Sequence, residues 1–101
     1  MSTLVVGKFR GDTAAFRKAL DERGGEFAAI AERAKQAGCI HHRFGVGDGF
    51  VVIVDEWDTA EQFERFFADP ELQAFIASAG AATDAPPELT VTEAITSPDQ
   101  F

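Results

Sequence analysis

Residues 38–58 read GCIHHRFGVGDGFVVIVDEWD, and this stretch decides the fold. Asp48-Gly49 stands between two apolar runs, and such a pair is among the strongest short-range hairpin signals because the turn demands positive φ. Cys39–Val46 and Phe50–Trp57 are therefore expected as two strands of one hairpin. The first carries His41 and His42 side by side; the second ends in Asp55, Glu56 and Trp57. Neighbours on a strand point to opposite faces, so the two histidines cannot enter one site together. His42 shares its face with Ile40, Phe44 and Val46, and His41 shares with Cys39 and Arg43. The more apolar set belongs under helices, which places His42 in a sheet–helix cavity and turns His41 and Arg43 to the other side.

Turn length sets the cross-strand partners. A two-residue loop, Asp48-Gly49, puts His42 opposite Asp55 and His41 opposite Glu56, whereas a three-residue loop starting at Gly47 puts His41 opposite Asp55. The sequence leaves both registers open, and in each Asp55 meets a histidine. A carboxylate beside imidazole fixes the tautomer and raises basicity, as a general base requires. It also satisfies a buried histidine that does nothing else.

Outward from the hairpin, Thr3–Arg10 (TLVVGKFR) reads as a strand ended by Gly11-Asp12. Asp12 or Thr13 can cap a helix whose buried stripe is Phe16, Leu20, Phe27, Ile30, Ala31 and Ala34. Gly24-Gly25 predicts a kink within it, and Gly38 is a suitable αL cap at its end. After the hairpin, Thr59 and Gln62 form a potential capping box, and Phe63, Phe66 and Phe67 mark the apolar side of a second helix. Asp69-Pro70-Glu71 restarts that helix with a cap, a first-turn proline and a carboxylate. Leu72, Phe75 and Ile76 continue the stripe to Gly80. Residues 81–87 (AATDAPP) are loop by composition, and Glu88–Thr96 (ELTVTEAIT) alternates as a last strand. Glu93 interrupts its apolar set and faces either a cavity or an edge.

The order strand, helix, strand, strand, helix, strand is an α+β fold, the ferredoxin-like βαββαβ arrangement, with an antiparallel sheet and two helices on one face. It is expected to occupy residues 1–96 as one domain, with 97–101 as a C-terminal tail. The hairpin is apolar on both faces, so the sheet face away from the helices needs a cover. A second copy of the sheet supplies it economically, giving a homodimer and a dimeric α/β barrel.

Composition narrows the partners. The net charge is −8, with only nine Lys and Arg among 101 residues. Neither a nucleic acid nor an anionic membrane surface is expected to bind a chain without a basic stripe. MSTLVVGKFRG does not read as a signal peptide, and no apolar run approaches the ~20 residues of a membrane span, so a cytoplasmic protein is expected. The single cysteine, Cys39, makes no internal disulfide and lacks the companions of a thiolate metal site, so no metal is expected. Ten Phe, one Trp and no Tyr suit dry cores and apolar pockets.

In GCIHHRF, FVVIVDEWDTAEQFERFF and ADPELQAF, the chain resembles the antibiotic-biosynthesis-monooxygenase-like family of dimeric α/β-barrel proteins. The resemblance covers nearly the whole domain in element order. It implies a sheet-paired dimer with a cavity between sheet and helices. The activities it implies include cofactor-independent monooxygenases acting on electron-rich aromatic or quinol substrates, and haem-degrading enzymes. This sequence departs from the family where many members carry a second-helix histidine: that position is Phe66. The haem-ligand histidine of the haem-degrading relatives aligns with Phe75, so haem loses its ligand and no cofactor is expected.

Three functional readings follow. The first is an enzyme, a cofactor-independent oxygenase or isomerase on a small apolar or aromatic substrate. In it His42 and Asp55 take a proton while Trp57, Phe63, Phe66, Phe67 and Phe75 hold the substrate and exclude water. The second is a non-catalytic small-molecule-binding dimer with structural histidines, and the third is a dimer whose phenylalanines fill the cavity.

Overall fold

The hairpin turn settles on two residues. In the computed structural model, which describes every residue from Met1 to Phe101, Gly47 pairs with Phe50 and Gly49 takes φ +78°. The strands it joins are β2 (Cys39–Gly47) and β3 (Phe50–Trp57). Phe44 lies opposite Ile53, His42 opposite Asp55 and His41 opposite Glu56. The register then slips: Cys39 pairs with Trp57, which leaves Ile40 as the extra residue of a bulge. This corrects the sequence expectation for two residues. Cys39 joins the face of His42 instead of that of His41, and Ile40 is exposed. A bulge shifts the side-chain alternation by one, so everything before it changes sides.

The other two strands are β1 (Thr3–Arg10) and β4 (Glu88–Glu93), and the sheet order is β2-β3-β1-β4, antiparallel throughout. The last strand stops at Glu93 rather than Thr96. Beyond it the Ala94 N–H still donates to the Ser2 carbonyl at 2.9 Å, while Ile95 is exposed. Glu93 lies exposed on this edge strand. Within one chain the sheet is open and does not close into a barrel.

Four helices replace the two that periodicity suggested: α1 (Thr13–Glu22), α2 (Gly24–Ala37), α3 (Ala60–Phe67) and α4 (Pro70–Ser78). The breaks fall where the sequence carries Gly24-Gly25 and Asp69-Pro70. Proline has no N–H and restricts the residue before it, so the helix stops and restarts. The caps follow local chemistry. Asp12 accepts from the Ala15 N–H at 3.0 Å, Thr59 and Gln62 form the reciprocal capping box, and Asp69 accepts from the Glu71 N–H at 3.0 Å.

All four helices lie over one face of the sheet. Val5, Ala34, Ile53, Trp57 and Phe63 form one packed cluster beneath them, and Phe16, Ala19, Val51 and Ala79 form another. Only 13 of 101 residues are buried, because many apolar side chains line a cavity between these clusters and others face outward. Leu4, Val6 and Val54 are exposed on the opposite face of the sheet, where Val6 and Val54 are directly paired.

Gly38 ends α2 at φ +118°, and a Cβ there would lie 2.4 Å from the Gln62 amide oxygen. Gly25, inside α2, meets nothing within 4 Å. Gly38→Ala is expected to lose about 1–2 kcal/mol, whereas Gly25→Ala should gain about 0.5–1 kcal/mol. Thermal melting would read the two in opposite directions, at roughly 4–8 °C per kcal/mol for a domain of this size.

Candidate active site

Asp55 is the polar centre of the helix-covered face. Its carboxylate is 5% exposed, and both oxygens have a donor. Nδ1 of His42 stands 2.7 Å from Oδ1, and the indole Nε1–H of Trp57 donates to Oδ2 at 3.1 Å. The backbone dictates both contacts. Residues 55 and 57 are two apart on β3 and so share a face. His42 is the cross-strand neighbour that the two-residue turn selects.

An ionised carboxylate only accepts, so it holds the proton of His42 on Nδ1 and leaves Nε2 with its lone pair. Nε2 is then the basic atom of the pair. The ring is oriented on its other side by Phe44, whose centroid lies 4.6 Å away at an interplanar angle of 83°. The imidazole is about one-third exposed and lines the cavity.

That cavity has a volume of about 350 Å³ and is walled mainly by apolar side chains. Trp57, Phe63, Phe66, Phe67 and Phe75 all line it, as do His42 and Asp55. Trp57 meets Phe63 at 5.7 Å and Phe66 at 5.4 Å between centroids, tying β3 to α3. Phe75 packs edge-on against Phe27 at 4.9 Å. Of the aromatic set read from the sequence, Trp57 and Phe63 are the most buried and belong equally to the core. His41 stays outside, exposed on the far face.

Phe9, Phe16, Phe27 and Phe44 complete the aromatic wall. They were legible as apolar positions of their elements, but nothing in the sequence separates a wall from a filled core. Cys39 also reaches the wall, through the bulge. Burial pushes its thiol up to about 11, the Asp55 carboxylate adds to this, and a hydrogen bond with the His41 backbone opposes it. Cys39 is thus a neutral wall residue at neutral pH. No three His, Cys, Asp or Glu side chains converge in a metal-binding group.

A family model described as antibiotic biosynthesis monooxygenase matches residues 9–78, well over half of the chain, including His42, Asp55 and Trp57. The chain belongs to the antibiotic biosynthesis monooxygenase family. No curated protein matches it in sequence. Its fold is similar to that of SnoaB, a cofactor-independent oxygenase from Streptomyces nogalater. The two share 18% identity over 98% of each chain, with a TM-score of 0.65. A monooxygenase from the gene ActVA-Orf6 of Streptomyces coelicolor, solved with the ligand nanaomycin D, is also similar. That match has 19% identity over 95% of this chain and 89% of that one, with a TM-score of 0.68. Rv0793 from Mycobacterium tuberculosis matches at 17% identity over 98% and 100%, with a TM-score of 0.64. At these identities the likeness is one of fold.

Two outcomes test the site's electrostatics. Asp55→Ala leaves the Trp57 indole N–H without its acceptor and should lower unfolding stability by about 1–3 kcal/mol, read as a lower urea midpoint. Iodoacetamide should alkylate Cys39 at least about tenfold more slowly than a free thiol near pH ~8.5, because little thiolate is present below its pKa of about 11. The rate should keep rising with pH past the point where a free thiol levels off.

Proposed function

We propose that this protein is a cofactor-independent oxygenase acting on a small, electron-rich aromatic molecule held in the cavity between sheet and helices. The observation that carries the reading is the His42–Asp55 pair, a basic Nε2 anchored by a buried carboxylate at the wall of an otherwise apolar space. Family membership agrees with it, and so does the solved relative that holds nanaomycin D.

Nε2 of His42 takes a proton from an activated C–H or hydroxyl group of the substrate, and Asp55 stabilises the imidazolium that forms. Trp57, Phe63, Phe66, Phe67 and Phe75 exclude water, so the anion stays reactive towards dioxygen. For a CH₂ flanked by aromatic rings the balance is closed by the substrate itself. A carbon–oxygen bond forms, the carbon becomes a carbonyl, and the second oxygen atom leaves as water carrying the two hydrogens. A volume of about 350 Å³ is at the lower end of the roughly 300–1,000 Å³ of small-molecule pockets, which favours a compact ring system.

The working form in this proposal is a homodimer in the cytoplasm, paired through the sheet face that carries Leu4, Val6 and Val54. The thin core of the single chain and these exposed apolar residues support it. A second reading, a ligand-binding dimer without chemistry, draws on the same two hydrogen bonds, since they also satisfy a buried carboxylate.

Oxygen consumption with an anthrone as probe separates the two. The wild-type protein should speed conversion to the anthraquinone, and His42→Ala should lower kcat by about 10²–10⁴-fold with its circular dichroism unchanged. Turnover that survives in His42→Ala would remove the base from the reading, and binding without turnover in either protein would favour the second one. Native mass spectrometry should show a dimer at micromolar concentration. A monomer there would overturn the sheet-paired assembly.

A further inference from the structure

A second depression lies just outside the cavity wall, open to solvent in the groove between α2 and α3. Arg33 and Ala37 line it from α2, and Gln62, Arg65 and Phe66 line it from α3, with Asp69 at its end. The spacing explains the cluster. Residues 33 and 37 share one helical face, and residues 62, 65 and 66 share another. Phe66 lines both spaces, so one aromatic ring stands between the apolar cavity and this polar surface.

The polar groups of the depression are nearly all donors. The Gln62 amide oxygen already accepts from the Thr59 N–H at 3.0 Å, which leaves its NH₂ end free. The Asp69 carboxylate caps α4 through the Glu71 N–H and stands 3.8 Å from the Arg33 guanidinium. That contact is long and half-exposed, so it is weak and exchangeable. Arg65 makes no ion pair. Two guanidiniums and an amide NH₂ thus face one carboxylate that is engaged elsewhere, on a chain whose net charge is −8. A local excess of planar donors on an acidic protein fits an anion, and guanidinium matches carboxylate best because both are planar and pair at two points.

We propose that the molecule taken by the cavity carries a carboxylate, held by Arg33 and Arg65 in this depression while its aromatic body lies inside, past Phe66. The inference rests on the cavity reading above and narrows its substrate class to aromatic acids. Asp69 competes with the ligand for Arg33, so it weakens the very contact that the ligand makes.

The test uses 2-naphthoate and its neutral isostere 2-naphthamide, with quenching of the single tryptophan, Trp57, as the binding signal. Wild-type protein should bind the carboxylate roughly tenfold more tightly than the amide, and added salt should shrink that gap. Folded Arg33→Met/Arg65→Met protein should bring the ratio to about one. Asp69→Asn, which keeps a capping side chain, should widen the ratio. Equal binding of the two probes by wild type would overturn the inference and leave the cavity reading standing. A preference that survives in the double variant would place the carboxylate elsewhere and overturn it as well. If neither probe binds, the cavity reading fails and the inference falls with it.

Discussion

A carboxylate removed from water has to be paired, and Asp55 is where this fold meets that demand. One oxygen takes the imidazole of β2 and the other takes the indole of its own strand. Leaving either donor out would strand a buried polar group, so the two contacts reinforce the pairing of β2 with β3. Trp57 carries the constraint onward, since its ring packs on Phe63 and Phe66 and seats α3 on the sheet. Hairpin register, helix placement and the position of the basic nitrogen thus share one anchor.

The remaining architecture is unusually open. Both helical stretches are broken, and the aromatic side chains after the breaks, Phe27 and Phe75, meet edge-on over the cavity. Phenylalanine suits such a wall, because a ring has a hydrophobic body and no polar tip that would need a partner. Two small packed clusters flank the space instead of a single continuous core. The sheet face that carries Leu4, Val6 and Val54 is likewise uncovered within the single chain.

Chemistry at this site follows from contrast. A single imidazole stands at the wall of an otherwise apolar space, and a buried carboxylate fixes its orientation. Cys39, drawn onto the same wall, stays protonated at neutral pH because burial and the same carboxylate both oppose the thiolate. One negative charge thus holds His42 by a hydrogen bond and disfavours deprotonation of Cys39. The donor-rich depression beyond Phe66 adds polar groups at the cavity's edge, with Arg33, Gln62 and Arg65 among its lining residues.

The sequence by itself determined the element order, the hairpin, the caps at Thr59 and Asp69, and the meeting of Asp55 with a histidine, and it narrowed the first cap to Asp12 or Thr13. These are local matters: turn geometry, side-chain alternation and capping act over a few residues, and the letters carry them directly. It also marked both helix breaks, but only as a kink and a restart, because propensity weakens a helix without saying whether packing will bridge the gap. Tertiary structure decided which histidine Asp55 meets, since turn length depends on how the strands twist together. It likewise placed the bulge at Ile40 and moved Cys39 to the cavity side, a shift with no local signature. Whether ten phenylalanines fill a core or line a space is settled by how the helices sit on the sheet, and that follows from the sum of long-range packing.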